Sequence, residues 1–513
     1  METIEYWHFS EFGKDSIAGI SVNSISNKQY HLPENNKVII ALIDSDVDIS
    51  HNYLRDKIWI NKKEIEHNKR DDDGNGYIDD IHGWNFLGFE NQKIAKYANN
   101  TSVRFIKKFK DKYDELSKKD KGLSPSEQEF METYNNAVTT REEEKEELLE
   151  NEDYVVWYES SLASSDSLLA TYGIKKPYNL RVLDSLFNEV YTIGNDENRG
   201  RLVYFTLDNL KNNRINDYKN SIKYAEQGRK YELNENLDEK PDFVIGERKI
   251  SSEEYGSNRV NLNIENENHG TEMAGAITKT FKMVNRKITN TDSGLELMII
   301  PIFPEIGAED EDDLAKAIRY AVDNGANVIN YSSTLNFLIK PNTVYKAIKY
   351  AEKNNVLVVT TAGNSGYDLD KVMTHPREEY GDYKLSNLIM VGAIDSKLGP
   401  NMKPLWASYG KNTVDLFAPG TDFLTTIPNN GYGETSGSSI SGAIVSSIAA
   451  AIKLNFPKLS AQEIKTAIID STSKYEGEVN LDEDGTTKKP FKEMSKSGGI
   501  LNAAKALELA SQK

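Results

Sequence analysis

The sequence of 513 residues contains no cysteine. This absence excludes disulfide bonds, thiolate metal sites and a cysteine nucleophile, but cytosolic and exported proteins can both lack cysteine. Long apolar runs are also missing, so the sequence predicts no transmembrane helix. The N-terminal stretch METIEYWHFSEFGKDS has no apolar run preceded by basic residues. We therefore expect a cytoplasmic protein as the sequence is written, or a secreted one if a leader has been removed.

The sequence has fewer basic residues than acidic ones. Lys and Arg together number 62 against 80 Asp and Glu, which gives a formal net charge of −18. Because nucleic acids and anionic membranes bind surfaces with a surplus of Lys and Arg, we exclude them as main partners. Hydrophobic residues make up 38% of the chain, enough for a large core in a globular protein of several domains. The sequence leaves the oligomeric state unknown.

Buried strands alternate with amphipathic helices through much of the chain. Residues 38–43 (VIIALI) form a continuous apolar run with polar flanks, which is typical of a strand covered on both faces. Further strands and helices are predicted at 297–303, 312–325, 327–331, 343–355, 356–361 and 388–394. This alternation predicts an α/β fold built on a doubly wound, mostly parallel sheet.

The segment 91–250 departs from this alternation. It is rich in Lys, Glu, Asn and Tyr, and its apolar residues recur with helical periodicity. Ser124 and Glu127 have the spacing of a capping box at a helix start. We divide the chain into 1–90, a large helical insertion at 91–250, and 251–513, with the first and last parts forming one domain. The insertion is a lid or exosite at the cleft, a protein-interaction module, or a decoration away from the site.

An acidic stretch, DDDGNGYIDD, occupies residues 71–80. Its spacing matches an EF-hand-type calcium loop, although the twelfth position carries a histidine where such loops have a glutamate. The residues at ligand positions are Asp71, Asp73, Asn75, Tyr77 (through its carbonyl) and Asp79. We expect a structural Ca²⁺ ion here, and the alternative is an acidic surface turn without a metal.

Four polar residues stand at the ends of predicted strands or the starts of predicted helices. Asp44 and Asn364 follow strands, and His269 and Ser439 begin helices of small and apolar residues. Each alone has an ordinary explanation as a turn residue or helix cap. Together they supply the four roles of serine acyl transfer, which are an orienting carboxylate, a general base, an oxyanion donor and a nucleophile.

The surrounding motifs resemble those of subtilisin-like serine peptidases of the subtilase superfamily. IALIDSD around Asp44 is similar to the family's aspartate box, HGTE to its histidine box, TAGNSG to its asparagine box, and GSSISGA to its serine box. The order Asp, His, Ser is that of subtilisin. WHF, YIDDIHGWNF and SGGILNA further resemble a bacterial subgroup, here with a long helical insertion between the first two boxes.

This resemblance implies a serine endopeptidase that needs no cofactor for catalysis. Asp44 would orient His269, His269 would take the proton from Ser439, and Asn364 with the Ser439 backbone N–H would hold the oxyanion. A peptide or protein substrate would lie extended along one edge of the cleft. The residues expected to bind it are Ser332, Ser333, Thr334 and Gly363.

Four residues depart from the family pattern. Asp46 stands in place of Gly, Glu272 in place of His, Ser438 in place of Thr, and Ala443 in place of Pro. None of them removes a group that makes or breaks bonds, but Asp46 in particular raises the expectation of an unusual backbone conformation. The alternative function is therefore a catalytically impaired subtilase that binds an extended peptide as a scaffold.

Overall fold

The computed structural model describes residues 6–25, 36–89, 93–94, 97–119, 122–212, 214–237, 256–262, 264, 268–289, 291 and 293–513. The chain divides into two compact units, Met1–Lys96 together with Glu239–Lys513, and Tyr97–Asp238. Within the described ranges, no helix combines the length and apolar character needed to cross a membrane.

The described strands are β1 (Val38–Asp44), β2 (Gly88–Phe89), β3 (Lys93–Ile94), β4 (Leu295–Pro301), β5 (Val328–Tyr331), β6 (Leu357–Thr361), β7 (Glu379–Tyr380), β8 (Tyr383–Lys384), β9 (Leu388–Ile394), β10 (Leu416–Pro419), β11 (Phe423–Ile427), β12 (Gly431–Thr435), β13 (Ser473–Lys474), β14 (Glu478–Asn480), β15 (Lys488–Pro490) and β16 (Gly499–Ile500). The described helices are α1 (Thr101–Leu116), α2 (Pro125–Thr171), α3 (Leu180–Phe187), α4 (Glu197–Asn212), α5 (Ile215–Gln227), α6 (His269–Thr289), α7 (Glu311–Asp323), α8 (Pro341–Lys353), α9 (Ser438–Asn455), α10 (Ala461–Asp470) and α11 (Ala503–Ala510).

The first unit is organised around one large sheet. Its described strands follow the order β13-β16-β10-β9-β6-β5-β1-β4, and every pair is parallel except β13 with β16 at one edge. The predicted α/β class with a mostly parallel sheet is confirmed. Because β1 lies between β4 and β5, the winding reverses there, and open sheets place ligand sites at the carboxyl ends of strands at such a point.

Helices cover both faces of this sheet. Alternate residues of β1 show the division, since Ile40 and Leu42 join one apolar core while Ala41 and Ile43 join the other. Helices α6, α9, α10 and α11 contribute to the first core, and α7 and α8 contribute to the second. Burial on both faces explains why the strands are continuous apolar runs instead of alternating patterns.

The second unit is helical in its described part. The capping box of α2 is confirmed, because the Ser124 side chain accepts from the Glu127 backbone and the Glu127 side chain reaches back to Ser124. The two ends of the unit meet where the rings of Tyr97 and Tyr231 stack with centroids 3.9 Å apart. Its core is formed by Leu169, Leu183, Leu186, Val190, Val203 and Leu207.

Candidate active site

Asp44 and His269 are in direct contact at the carboxyl end of β1. His269 Nδ1 and Asp44 Oδ1 are 2.6 Å apart, although 225 residues separate them in the chain. The Asp44 side chain is fully buried, whereas 31% of the His269 side chain is exposed. A buried carboxylate needs a donor, so we assign the proton to Nδ1, which leaves Nε2 as the basic nitrogen on the open side.

Ser45 secures this contact, and the sequence analysis did not identify it. Its backbone N–H donates to Asp44 Oδ1 at 2.8 Å, and its hydroxyl accepts from the backbone N–H of Gly270 at 2.8 Å. A Cβ at Gly270 would lie 2.4 Å from the carbonyl oxygen of Ser45, so only glycine allows the start of α6 to approach this closely. Its position next to Asp44 in the sequence could have indicated a role for Ser45 in the site. Its bond to Gly270 could not be predicted without the fold.

The helix α9 brings Ser439 to the same edge of the sheet. Nearly all of α9 is buried, and its small residues allow close packing on the strands. The preceding Gly437 has φ 158° and ψ 160°, a region that essentially only glycine occupies. Ser439 is half-buried, and its hydroxyl donates to the carbonyl oxygen of Ser332 at 3.3 Å. The nucleophile candidate is thus at the site with its hydroxyl directed at the strand end.

Asn364 faces the start of α9. Its Oδ1 accepts from the backbone N–H of Ser438 at 2.9 Å. Because a backbone N–H can only donate, the side-chain oxygen must face Ser438, and the amide nitrogen is left as a donor on the other side. A Cβ at Gly437 would lie 3.4 Å from Asn364 Nδ2, so this glycine keeps the space beside the amide open. The arrangement can offer an N–H group to an oxyanion near Ser439.

The segment Ser332–Thr334 continues from β5 along the cleft. Within the described part of the chain, the backbone N–H groups of Ser333 and Thr334 have no hydrogen-bond acceptor. Gly363 lies opposite, since a Cβ there would be 3.5 Å from Thr334 Oγ1. A backbone N–H without an internal acceptor can pair with an extended peptide, which in β-strand addition bonds to alternate residues of the edge.

A family model described as the subtilase family matches residues 35–491. This match spans most of the chain and includes all four boxes. The chain belongs to the subtilase family. It is therefore a serine peptidase of the subtilisin type, and the resemblance inferred from the motifs is confirmed.

Relatives of this subtilase include characterised peptidases. It is 29% identical over 249 residues to the intracellular serine protease of Paenibacillus polymyxa, covering 46% of this chain and 71% of that protein. It is 33% identical over 184 residues to the thermophilic serine proteinase of Bacillus sp. strain AK1, covering 36% of this chain and 42% of that protein. The shared region is thus less than half the length of the second relative.

Solved structures of other proteases are also similar. The prenylagaramide maturation protease PagA is 25% identical, with a TM-score of 0.36 over 48% of this chain and 83% of that chain. A lanthipeptide protease is 22% identical, with a TM-score of 0.36 over 47% of this chain and 75% of that chain.

The departures of this subtilase from the family pattern are accommodated. Asp46 was expected to need an unusual backbone conformation, but it is not among the described residues with a positive φ. Its buried carboxylate accepts from Asn85 Nδ2 and from the backbone N–H of Leu262, both at 3.3 Å. Ala443 lies within an unbroken α9. The aspartate therefore acts as a link between loops in place of a flexible glycine.

The acidic loop brings together a different set of carboxylates from the predicted one. Oxygens of Glu64, Asp71 and Asp73 lie within 4.8 Å of one another, and in the described ranges no basic side chain forms an ion pair with them. Asp79 is not in this group, and its oxygens accept from the backbone N–H groups of Asn68 and Lys69 at 3.2 and 2.9 Å. The oxygens of Glu64 and Asp71 also accept from backbone N–H groups. Glu64 lies outside the motif window, so the sequence pattern could not find it.

The remaining predicted ligands take structural contacts in the loop. Asn75 Oδ1 accepts from the backbone N–H of Tyr77 at 2.8 Å, and Asn75 Nδ2 donates to Asp80 at 3.0 Å. Asp80 is fully buried and also accepts from the Tyr320 hydroxyl at 2.6 Å. Burial raises the pKa of Asp80 to about 6. This carboxylate anchors the loop to α7.

Proposed function

We propose that this subtilase is a serine endopeptidase that cleaves peptide bonds through an acyl-enzyme intermediate on Ser439. The observation that carries the proposal is the 2.6 Å contact between His269 Nδ1 and the buried Asp44, beside the helix that begins at Ser438. A histidine held in one tautomer by a carboxylate is the general base that a serine nucleophile requires.

The proton transfers follow from this arrangement. His269 Nε2 takes the proton of the Ser439 hydroxyl as the oxygen attacks the scissile carbonyl, and it returns the proton to the leaving amine. Asp44 stabilises the imidazolium that forms in between. Water then repeats the sequence on the acyl-enzyme and releases the second product.

The oxyanion of the tetrahedral intermediate is held by Asn364 Nδ2 and by the backbone N–H of Ser439. The bond from Ser438 N–H to Asn364 Oδ1 supports this role, because it turns the amide nitrogen away from the helix. The N-terminus of α9 adds the positive end of its helix dipole. Preorganised donors of this kind usually provide the largest single contribution to the rate.

We propose that the substrate lies extended along Ser332, Ser333 and Thr334, opposite Gly363. The backbone N–H groups of Ser333 and Thr334 support this site, since they have no acceptor among the described residues. Backbone pairing supplies affinity that does not depend on the substrate sequence, and side-chain pockets then provide selectivity.

The test is cleavage of a diverse peptide library by wild type and by the Ser439→Ala variant, with labelling by a fluorophosphonate. We expect wild type to cleave and to be labelled, and the variant to do neither. Ser436→Ala is the matched control, since its exposed hydroxyl contacts the Asp422 backbone and not the site. Cleavage retained in Ser439→Ala would contradict the proposal.

One observation bears on the alternative of a peptide-binding scaffold. The Ser439 hydroxyl donates to Ser332 in this structure, and it must leave this partner before His269 can take its proton. Hydrogen bonds of catalytic groups often tighten only when the substrate is bound, so this geometry does not by itself favour the scaffold over the enzyme. A wild-type protein that binds library peptides without cleavage or labelling would be the scaffold.

We also propose that the acidic loop binds a structural Ca²⁺ ion. Three converging carboxylates that form no ion pair with a basic side chain in the described ranges suit a hard cation that prefers oxygen ligands. Glu64, Asp71 and Asp73 would hold it, together with the loop carbonyl groups. The ion would neutralise their mutual repulsion and supply no catalytic chemistry.

A further inference from the structure

Lys403 is a buried lysine in the loop beside Asn364. Its side chain is only 2% exposed. The ammonium group donates to the carbonyl oxygens of Pro404 and Ala407 at 2.8 and 2.9 Å. Two carbonyl groups of one short loop are thus gathered around a single charge, which fixes the conformation of residues 404–407.

This ammonium group has no carboxylate partner. In the parts of the chain that the structure describes, no carboxylate oxygen lies within 4 Å of Lys403 Nζ. The ring of Tyr409 is nearby, with its centroid 5.4 Å from Nζ, and Lys489 Nζ lies 5.0 Å from the same centroid. A buried charge without an ion pair is unfavourable, so its hydrogen bonds to the loop carbonyls must offset much of the desolvation penalty.

The loop around Lys403 forms backbone hydrogen bonds with the chain just before and just after Asn364. Before it, the Ser408 backbone N–H donates to the Gly363 carbonyl at 3.2 Å. After it, the Gly366 backbone N–H donates to the Trp406 carbonyl at 2.7 Å. The residues on either side of Asn364, Gly363 and Gly366, are therefore both hydrogen-bonded to the loop that surrounds the ammonium group.

We propose that Lys403 is a positioning residue for the oxyanion donor: its ammonium group holds residues 404–408 in the conformation that places Asn364. The inference rests on the proposed function of Asn364. Lys403 touches neither the substrate nor the reacting atoms, and it acts through the two backbone bonds that flank Asn364. Removal of the ammonium group leaves two loop carbonyls without their hydrogen-bond donor, which destabilises this conformation of the loop.

The expected effect lies in kcat. The oxyanion contact strengthens only in the transition state, so a displaced Asn364 lowers kcat and leaves KM nearly unchanged. We expect Lys403→Met to lower kcat about 10-fold, which is part of the 10²–10³-fold loss typical when one oxyanion donor is removed. Lys403→Arg keeps a buried cation with several donors and should restore at least half of the wild-type rate.

A double-mutant cycle separates positioning from a general structural role. We compare kcat of wild type, Lys403→Met, Asn364→Ala and the double variant on one peptide substrate. If Lys403 acts through Asn364, Lys403→Met has less than a twofold effect in the Asn364→Ala background. A full 10-fold effect in that background would overturn the proposal, and so would an unchanged kcat in folded Lys403→Met.

The pH profile gives a second readout that does not depend on the Met variant. Burial lowers the pKa of Lys403 to about 8. The groups facing it are Tyr409 and, across that ring, Lys489, which pairs with Asp368. Deprotonation of the Lys403 ammonium weakens its two charge-assisted bonds to the loop carbonyls. Wild-type kcat should therefore fall about two- to threefold as the pH rises through about 8.

The Arg variant stays charged over this range, and its profile should lack this step. Burial also lowers the pKa of Lys279 to about 8, but that residue is on α6 and is unchanged in every variant. A step that persists in Lys403→Arg would contradict the inference. If wild type itself lacks activity, the proposed function fails; if wild type is active and the Lys403 variants match it, only the present inference fails.

Discussion

The backbone N–H of Ser438 and the side-chain oxygen of Asn364 form a 2.9 Å hydrogen bond that fixes which end of the amide faces the cleft. This bond joins the loop after β6 to the first residue of α9. It thereby couples the proposed oxyanion donor to the helix that carries the proposed nucleophile. A change at either partner should affect the rate of the chemical step more than substrate binding.

Replacing Asn364 by Ala should lower kcat about 10²–10³-fold with KM changed less than twofold, because the lost N–H donor acts mainly in the transition state. Asn364→Asp should lose more, since a carboxylate repels the oxyanion. Asn151→Ala is the control, because this side chain on α2 donates to the Glu147 carbonyl of its own helix. Steady-state kinetics on a peptide substrate measure all three. A loss below fivefold for Asn364→Ala would exclude the oxyanion role.

Replacing Asp44 by Asn should lower kcat about 10⁴-fold, because an amide cannot stabilise the imidazolium as a carboxylate does. The side chains have the same shape, so the variant should keep its fold by circular dichroism. Asp56→Asn is the matched control, since the Asp56 side chain is 83% exposed. If Asp44→Asn kept a tenth or more of the wild-type kcat, the role assigned to the 2.6 Å contact would be wrong.

Calcium should stabilise the wild-type protein after treatment with a chelator. At a concentration 100 times Kd, binding adds about 2.7 kcal/mol to the free energy of unfolding. Glu64→Gln and Asp71→Asn should each abolish the increase in Tm measured by calorimetry. Glu66→Gln should retain it, because Glu66 is 62% exposed and is not part of the three-carboxylate group. A wild-type Tm that is the same with Ca²⁺ and with chelator would disprove the site.

Acid should selectively remove the stabilising effect of His375. Burial lowers the pKa of this imidazole from 6.5 to about 3, and Tyr345 bonds its Nδ1 at 2.9 Å. Between pH 6.5 and about 3, the imidazole of His375 is protonated in the unfolded chain but neutral in the folded protein. Its contribution to the free energy of unfolding is therefore fully present above pH 6.5 and declines as the pH falls toward 3.

The stability difference between wild type and His375→Gln should therefore narrow by about 2 kcal/mol from pH 7 to pH 5. Urea unfolding at both pH values measures it. His67→Gln, at a side chain that is 86% exposed, is the control for removing an imidazole from the surface. A difference that is constant for His375→Gln would mean that the imidazole has the same pKa in the folded and the unfolded protein.

Local features of the sequence predicted much of the fold. The strand 388–394 was predicted with the bounds of β9, and the predicted capping box at Ser124 is present. These features depend on burial of a continuous run or on bonds within four residues. Helix ends were less accurate: α8 begins at Pro341, where the sequence suggested 343, because proline suits the first turn of a helix.

The predicted calcium ligands of the acidic loop stay a prediction, and the structure brings two of them, Asp71 and Asp73, close together. The EF-hand spacing indicated Asp79 as a ligand, but its backbone takes φ 52° and its side chain turns to the amides of Asn68 and Lys69. Glu64, seven residues before the motif begins, has a carboxylate oxygen within 4.8 Å of oxygens of Asp71 and Asp73. A motif fixes the order of residue types, whereas convergence of their oxygens depends on how neighbouring turns fold back on one another.

The sequence by itself determined the alternation of buried strands and helices, the order of the four boxes and the family, because these are properties of neighbouring residues. Only the tertiary structure decided that Asp44 and His269, 225 residues apart, meet at 2.6 Å. It also decided that Ser439 points at Ser332, and that a buried ammonium at Lys403 supports the loop around Asn364. Side-chain direction is set by packing between segments distant in the chain, which no local pattern records.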